Sequence, residues 1–301
     1  MKYILKWLFL FLGITLLIFS IVRIMPFSPV EMLLQQYNLP FTEENKKMLI
    51  EQFGLNVNIF TQYIKWLINF LKGDFGQSFL TKMPIRDEML RKLPYSFFIG
   101  FSSLLLAIVL SFILGYLSAI KENSLFDIFT RGLSIFNLTI PSFLWAILII
   151  YYFGVKIKAI KFFTDGSFWG IVFSILILTL YQLGSLSRIV RQAFVRLKEE
   201  SYVKFYVLRG FKMEYILLRH CYKPVLYSLF SASISRFSSV IGGSTVLEFA
   251  FAIPGISYFL INSIIARDYN VIQAYILFVF IWMFLVHLFF DFCLIFLKEK
   301  R

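Results

Sequence analysis

The chain has 301 residues, of which 59% are hydrophobic and 20% are aromatic. Soluble domains are about 45–50% apolar, so this composition and a mean hydropathy of +0.78 exclude an ordinary soluble protein. The formal net charge is +13, but the basic residues cluster at the ends of apolar segments, as the positive-inside rule describes. We therefore expect an all-α integral membrane protein in contact with lipid, and no nucleic-acid partner.

The first 94 residues contain one apolar segment followed by a polar one. Residues 1–25 are predicted to form a first transmembrane helix with its N-terminus in the cytoplasm, because Arg23 follows the apolar run where a signal peptide would carry a cleavage site. Residues 26–94 are too polar to span a bilayer. They are predicted to form an extracytoplasmic segment with short interfacial helices, among them Thr42–Gln52 and the amphipathic Ile59–Leu71.

Residues 95–297 contain five further apolar segments and are predicted to form a five-helix core. Pro141 lies inside the second of these segments and is predicted to kink it. Six spans in total place both termini in the cytoplasm, with residues 298–301 as a cytoplasmic tail. The predicted spans of the core cover residues 95–120, 129–153, 169–189, 225–247 and 271–296.

Residues 190–224 form the most polar stretch between two predicted spans, and we call them the basic loop. Nine Lys and Arg lie between Arg188 and Lys223, against three Glu, which predicts a cytoplasmic position. Glu199, Glu200 and Ser201 suit a helix N-terminus, and Gly210 suits a left-handed turn. The pattern predicts a helix, a glycine turn and a second helix.

The fifth of the six predicted spans, residues 225–247, carries small polar residues at spacings of three and four. This pattern suits either close helix packing or a pore-facing surface. Arg236 lies near its predicted middle, where an arginine costs about 2.5–3.5 kcal/mol on insertion scales. Two interpretations remain open: Arg236 lines a pathway and attracts an anionic group, or it is structural. The small residues are Ser228, Ser231, Ser235, Ser238 and Gly242.

The sequence contains no pattern typical of a catalytic, metal or nucleotide site. The chain has two cysteines and two histidines, and neither pair forms a ligand cluster or a CxxC motif. There is no GxxxxGK[ST] and no HExxH motif. We therefore expect no catalytic residue, no metal site and no cofactor bound by this chain.

Three motifs occur in order along the chain. The first is Gly73–Ser78, GDFGQS. The second, in the basic loop, comprises Tyr202-Val203, Arg209-Gly210 and Leu217–His220 before Pro224. The third comprises Gly242–Ser244, Glu248-Phe249, Pro254–Ile256, Arg267–Tyr269 and Gln273. Together they resemble ABC importer permeases, specifically the B-type subunit of dipeptide, oligopeptide and nickel importers. The likeness covers nearly the whole chain, although Tyr206 and Leu208 are bulky where the family usually has small residues.

The resemblance implies a type I ABC importer permease fold of six transmembrane helices, with a cytoplasmic coupling helix in the basic loop. It implies a non-catalytic subunit of the bacterial inner membrane that forms half of a translocation pathway for short peptides or nickel or metallophore complexes. The implied partners are a second homologous permease, two ATPase subunits that bind ATP and Mg²⁺, and an extracytoplasmic solute-binding protein.

The residues implied in these roles fall into two sets. Those expected to dock on an ATPase subunit are Glu200, Tyr202, Val203, Phe205, Tyr206, Arg209 and Gly210, with Tyr202, Phe205 and Tyr206 as the apolar anchors. Those expected along the translocation pathway are Ser235, Arg236, Ser239, Gly243 and Glu248, and for Glu248 a structural role that holds a loop is equally open.

Two other classes of function remain as alternatives. An ion- or proton-coupled secondary transporter needs ionisable groups near the bilayer midplane, and the best acidic candidate, Asp291, lies toward the cytoplasmic end of its span. No inverted repeat of the kind found in such transporters is visible. An intramembrane hydrolase needs a nucleophile with a base, or a metal site, and the sequence has neither.

Overall fold

The computed structural model describes residues 2–24, 29–52, 56–163, 167–238 and 240–298. Within these ranges the chain is helical, and the β structure is limited to one isolated bridge between Gln77 and Pro84. The all-α fold is therefore confirmed. The chain divides into two compact units. We call residues 1–93 with 259–281 the N-terminal unit, and residues 94–258 with 282–301 the core unit.

The helices are numbered in chain order. They are α1 Lys2–Ile24, α2 Pro29–Gln36, α3 Glu43–Gln52, α4 Ile59–Leu71, α5 Ile85–Ile120, α6 Leu125–Thr139, α7 Ser142–Ile149, α8 Phe168–Lys198, α9 Ser201–Leu208, α10 Met213–His220, α11 Tyr222–Ser238, α12 Thr245–Ala250, α13 Ile256–Ile265 and α14 Tyr269–Lys298. A π-helical segment, Ile150–Lys156, directly follows α7.

Among the described residues, three helices are long and apolar enough to cross a bilayer by themselves, and these are α5, α8 and the Tyr269–Phe290 part of α14. Leu125–Asn137 and Ser142–Lys156 are together long and apolar enough for a fourth span, but the two parts are bent by 91°, as in a broken span or a re-entrant loop. The two remaining predicted spans overlap α1, which contains the shorter apolar stretch Phe9–Ser20, and α11, whose 17 residues end at Ser238 and cover only part of the predicted 225–247.

Two helices extend well beyond the spans predicted from hydropathy. Helix α5 begins ten residues before residue 95 and contains Pro94, and its early residues Ile85 and Met89 are buried. Helix α8 continues nine residues beyond Ile189, and Val190 and Phe194 on this extension are fully buried. Charged residues end an apolar run without ending a helix, so hydropathy underestimates both lengths.

The predicted kink at Pro141 is a complete break. Helix α6 ends at Thr139, and Pro141 is the N-cap of α7 with φ −60° and ψ 142°. Proline has no N–H, and its ring clashes with the preceding turn of a helix, so the first helix cannot continue through it. The following π-helical segment is a second departure from regular geometry within the same predicted span.

The predicted fifth span is also interrupted. Helix α11 ends at Ser238, a turn covers residues 240–244, and α12 begins at Thr245. Gly242 adopts φ +95°, a conformation that glycine reaches without the strain a Cβ would cause. Arg236 therefore lies in the last turn of α11 and not in the middle of a continuous helix.

The N-terminal unit is held together by aromatic and apolar contacts. Helix α4 matches its predicted bounds, and the Asn58 side chain caps it by accepting the Phe60 N–H. Thr15 of α1 and the Tyr63 hydroxyl of α4 share a hydrogen bond of 2.8 Å. The nearby apolar cluster is centred on Ile18, Phe70 and Leu277.

Asp268 joins two of the sequence motifs inside the N-terminal unit. Its Oδ2 accepts hydrogen bonds from the Ser78 hydroxyl at 2.6 Å and from the Leu80 N–H at 3.1 Å. Asn270 adds a bond from its side-chain amide to the Gln77 carbonyl at 3.1 Å. Asp268 is fully buried, so the bond that fastens Ser78 of the GDFGQS stretch to the loop before α14 is shielded from water.

We expect Asp268→Ala to destabilise the N-terminal unit, because it leaves the buried Ser78 hydroxyl and Leu80 N–H without their acceptor. Such groups cost about 1–3 kcal/mol each when unsatisfied. The measurement is the thermal unfolding midpoint in detergent, together with protease cleavage within residues 73–84. Asp74→Ala is the matched control, because Asp74 is exposed and its side chain accepts a local bond from the Gly76 N–H. Equal midpoints for the two variants would contradict a stabilising role for the Asp268 hydrogen bonds.

Candidate functional site

The basic loop contains the predicted helix, glycine turn and helix. Gly210 has φ +82°, its N–H donates to the Val207 carbonyl at 2.9 Å, and the Phe211 N–H donates to the Tyr206 carbonyl at 3.2 Å. This pair of bonds is the Schellman motif that closes a helix C-terminus. At the other end Glu200 is the N-cap of α9 without a side-chain capping bond, so the expected hydroxyl cap is not formed.

One side of the loop packs against the helices of the core unit. Val203 of α9 is completely buried, as are Ile216, Leu217 and Cys221 in and after α10. The Tyr116 hydroxyl of α5 donates to the Glu214 carbonyl at 3.3 Å. These contacts fix both short helices to the helical body, so the loop is a folded element with one attached face.

Two of the three predicted apolar anchors take part in the internal packing of the loop. The Tyr206 ring stacks on the His220 ring at a centroid distance of 4.2 Å and an angle of 16°. The Tyr202 hydroxyl lies 3.6 Å from the Cys221 Sγ. Burial raises the pKa of the Tyr202 hydroxyl and the pKa of the Cys221 thiol, so both groups are neutral at physiological pH.

The outward face of α9 presents Phe205 and Leu208. With 3.6 residues per turn, these two residues lie on the side of the helix opposite the buried Val203. Phe205 is 50% exposed and Leu208 is 87% exposed. The Arg209 guanidinium lies 4.4 Å from the centre of the Phe205 ring. Leu208 was not predicted as an anchor, although the helical spacing from Val203 is the signal that identifies it.

The core unit contains a cavity of about 360 Å³ between α5, α8, α11 and the turn after α11. Of the predicted pathway residues, the cavity brings together Arg236 and Gly243. Ser235 is exposed elsewhere on α11, and Ser239 lies outside the described residues. The lining is Gly100, Ser103, Leu178, Tyr181, Gln182, Ser185, Arg236, Val240, Gly243 and Ser244.

Arg236 is held in place from two directions. Its Nη1 donates to the Ala232 carbonyl at 2.7 Å, and its Nη2 donates to the Ser185 hydroxyl of α8. Its position in the last turn places a cation where the helix dipole is negative. The polar residues that α8 brings to this site, Gln182 and Ser185, were missed by the sequence analysis. Their signal is a spacing of three residues inside an apolar helix.

Glu248 lies in α12 and is fully buried. Its carboxylate accepts hydrogen bonds from the Ser244 hydroxyl and from the N–H groups of Ser257 at 3.0 Å and Tyr258 at 3.1 Å. A Cβ at Gly255 would overlap this carboxylate. Glu248 does not line the cavity, and its contacts are those of the structural role, in which it fastens the start of α13.

An ion-pair cluster that the sequence analysis missed lies where α8 approaches the start of α6. Arg191 and Asp127 form a bidentate pair, with Nε–Oδ1 at 2.6 Å and Nη2–Oδ2 at 2.7 Å. Lys198 reaches Glu122 at 3.4 Å. Planar, two-point pairs of this kind fix orientation as well as distance, so the end of α8 that enters the basic loop is tied to the α5–α6 connection.

Within the residues that the structure describes, no group of three or more His, Cys, Asp or Glu side chains could hold a metal ion. The chemistry available in the cavity is therefore that of one guanidinium, hydroxyl groups and one amide. Such a lining can bind and orient a small polar ligand.

The chain is similar to a known family and to several transport-system permeases. Residues 107–298 match the family described as binding-protein-dependent transport system inner membrane component. A putative peptide transport system permease of Brucella suis biovar 1 is 28% identical over 273 residues, covering 88% of this chain and 86% of that protein. The nickel import system permease NikB of Staphylococcus aureus strain RF122 is 27% identical over 288 residues, covering 96% and 87%.

A third relative is the oligopeptide transport system permease AppB of Bacillus subtilis, 28% identical over 274 residues, with 87% of this chain and 86% of that protein covered. The family match spans more than half of the chain and includes the basic loop and the cavity residues from α8 onward. The chain therefore belongs to the family of binding-protein-dependent transport system inner membrane components, and it is a multi-pass, non-catalytic permease subunit of an ABC importer with the type I importer fold.

Proposed function

We propose that this permease imports short peptides or nickel or metallophore complexes through a pathway that includes the Arg236 cavity, and that α9 docks on an ATPase subunit. The observation that carries the docking proposal is the outward face of α9, where Phe205 and Leu208 are exposed opposite the buried Val203. The substrate classes are supported by the names of the relatives, which are peptide and nickel permeases.

The proposed assembly contains this chain, a second homologous permease, two ATPase subunits that bind ATP and Mg²⁺, and an extracytoplasmic solute-binding protein. Its place is the bacterial inner membrane, with both chain termini and the basic loop in the cytoplasm. The nine basic residues between Arg188 and Lys223 support this orientation. An amphipathic helix that inserts apolar side chains into a groove is a recurrent form of protein recognition.

An ion-coupled secondary transporter is the alternative that the family membership disfavours. The cavity also disfavours an ion-coupled transporter, since none of its ten lining residues is acidic. Proton or cation coupling would require an ionisable acid within the pathway.

We expect Leu208→Ser to weaken binding of the ATPase subunits about tenfold, because buried apolar anchors contribute most of the free energy at such interfaces. The measurement is the amount of ATPase that co-purifies with the tagged permease as detergent and salt are increased. Leu218→Ser is the matched control, since Leu218 is an exposed leucine on α10. If Leu208→Ser retains the ATPase as well as Leu218→Ser does, α9 is not the docking element.

We expect Gly210→Val to uncouple ATP hydrolysis from substrate, while Gly210→Asn retains coupling. A Cβ at Gly210 meets no atom within 4 Å, so the effect comes from the backbone. A left-handed conformation costs about 1–2 kcal/mol for a residue with a Cβ, and asparagine tolerates it better than a β-branched residue. The readout is ATPase stimulation by the loaded binding protein in proteoliposomes. Equal stimulation in both variants would show that the turn geometry is irrelevant to coupling.

The orientation is tested with single cysteines in a Cys293→Ser background. Burial raises the pKa of the Cys221 thiol, so little reactive thiolate is present at neutral pH. The native Cys221 should therefore not be labelled. Lys72 and Lys204 are exposed. An impermeant maleimide added outside intact cells should label Lys72→Cys, and it should label Lys204→Cys only after permeabilisation. The opposite pattern would reverse the proposed topology.

A further inference from the structure

The electrostatic character of the cavity is unusually simple. Arg236 is the one charged residue among its ten lining residues, and none of the others is Asp, Glu, His or Cys. The remaining polar groups are hydroxyls of serine and tyrosine and the Gln182 amide. The fixed charge that this lining presents directly to a ligand is therefore positive, and a charge acts more strongly where the surrounding dielectric constant is low.

The cation is positioned before any ligand arrives. Arg236 is oriented by the Ala232 carbonyl and the Ser185 hydroxyl, which are both neutral oxygens. Preorganised donors bind an anion without the cost of ordering a flexible side chain. The planar guanidinium also matches the two oxygens of a carboxylate better than an ammonium group does.

A second group in the cavity lining lacks a partner. The Gln182 Oε1 is buried and accepts no hydrogen bond from the described residues, while its Nε2 lies 3.5 Å from the Ser103 hydroxyl. A buried polar atom without a partner is destabilising, and a ligand N–H would satisfy it. The cavity thus offers a cation and an acceptor on neighbouring helices, α11 and α8.

We propose that this cavity is a carboxylate-binding subsite of the translocation pathway, in which Arg236 binds a carboxylate of the transported molecule and Gln182 accepts an N–H from it. The inference rests on the proposed importer function and specifies which substrates the permease accepts. The carboxylate belongs either to the C-terminus of a short peptide or to a carboxylate-bearing chelator of nickel. The volume of about 360 Å³ lies within the range of about 300–1,000 Å³ typical of small-molecule sites.

The same lining disfavours passage of a bare divalent metal ion. First-row transition metals bind best to imidazole, thiolate or carboxylate groups, and the cavity lining contains none of these. Arg236 would also repel a dication. Nickel would therefore cross this subsite only inside a chelate whose net charge at the contacting group is negative.

The test uses the complete transporter, purified with its native partner subunits and binding protein and reconstituted in proteoliposomes with ATP on the ATPase side. Four probes are compared: a dipeptide, the same dipeptide with a C-terminal amide, nickel chloride, and nickel with a polycarboxylate chelator. For each probe the uptake rate of a variant is divided by the wild-type rate. This ratio cancels the preference of the binding protein, which is the same in every sample.

Arg236→Gln should reduce uptake of a carboxylate-bearing probe about tenfold or more, as expected for a lost charge-assisted hydrogen bond, and reduce uptake of the amide less than threefold. Arg236→Lys should retain most carboxylate uptake, because it keeps the charge. Ser185→Asp is the independent variant: it keeps a partner for Arg236 but cancels its charge, so it should reproduce the selectivity change of Arg236→Gln without impairing assembly. Co-purification of the partner subunits should be retained in all three.

The outcomes separate the inference from the function on which it rests. Absence of ATP-dependent uptake of every probe by the wild type would overturn the proposed function. Wild-type uptake with equal losses for the dipeptide and its amide, or failure of both Arg236→Gln and Ser185→Asp to assemble, would overturn the subsite and leave the importer intact. Efficient uptake of nickel chloride without chelator would do the same. A selective loss for the dipeptide or for the chelate supports the subsite and identifies the source of the carboxylate.

Discussion

A helix that ends inside a membrane protein leaves carbonyl groups without intrahelical partners, and in a bilayer those groups must be satisfied by protein or by a water-lined cavity. Helix α11 meets this constraint at Ser238. The carbonyl of Phe237, in the last turn, accepts from the Val240 N–H at 3.2 Å and from the Trp282 indole N–H at 3.3 Å. The predicted fifth span is thus broken beside the cavity, and Arg236, in the last turn before the break, lines that cavity.

Two of the helices that line this cavity, α8 and α11, also flank the basic loop. Helix α8 carries Gln182 and Ser185 and continues to Lys198, just before α9, and α11 begins at Tyr222, just after α10. Ser185 and Lys198 are thirteen positions apart, which corresponds to about 20 Å of continuous helix. Val203 and Leu217 are fully buried, so α9 and α10 are packed against the helices of the unit that contains the cavity.

The sequence predicted the fold class, the order of the elements in the basic loop and the bounds of α4 correctly. Those features depend on local signals: hydropathy, the left-handed preference of Gly210 and the amphipathic period of Ile59–Leu71. It underestimated α5 and α8 because the burial of Ile85 and Phe194 by tertiary packing is invisible to a hydropathy window. The Arg191–Asp127 pair joins residues that are 64 positions apart, and a single sequence cannot show such a contact.

The candidate site was also predictable only in part, because some of its features have local signals and others depend on tertiary contacts. An arginine in an apolar segment draws attention by itself, but its depth was judged on a continuous helix, and the end of α11 at Ser238 changes that judgement. For α9 the sequence predicted the helix and missed its most exposed apolar residue, Leu208. Tyr202 and Tyr206 are apolar enough to serve as anchors. In the folded loop, however, the Tyr202 hydroxyl contacts the Cys221 Sγ and the Tyr206 ring stacks on His220.

The burial of Glu248 bears on the charge of the cavity. Ser244 lines the cavity and donates its hydroxyl to Glu248, whose carboxylate also accepts the N–H groups of Ser257 and Tyr258. The acid therefore lies behind the cavity wall with its oxygens engaged by donors of its own segment. A carboxylate satisfied in this way fixes the start of α13 and does not enter the cavity, so the group that the cavity presents to a ligand is the Arg236 cation.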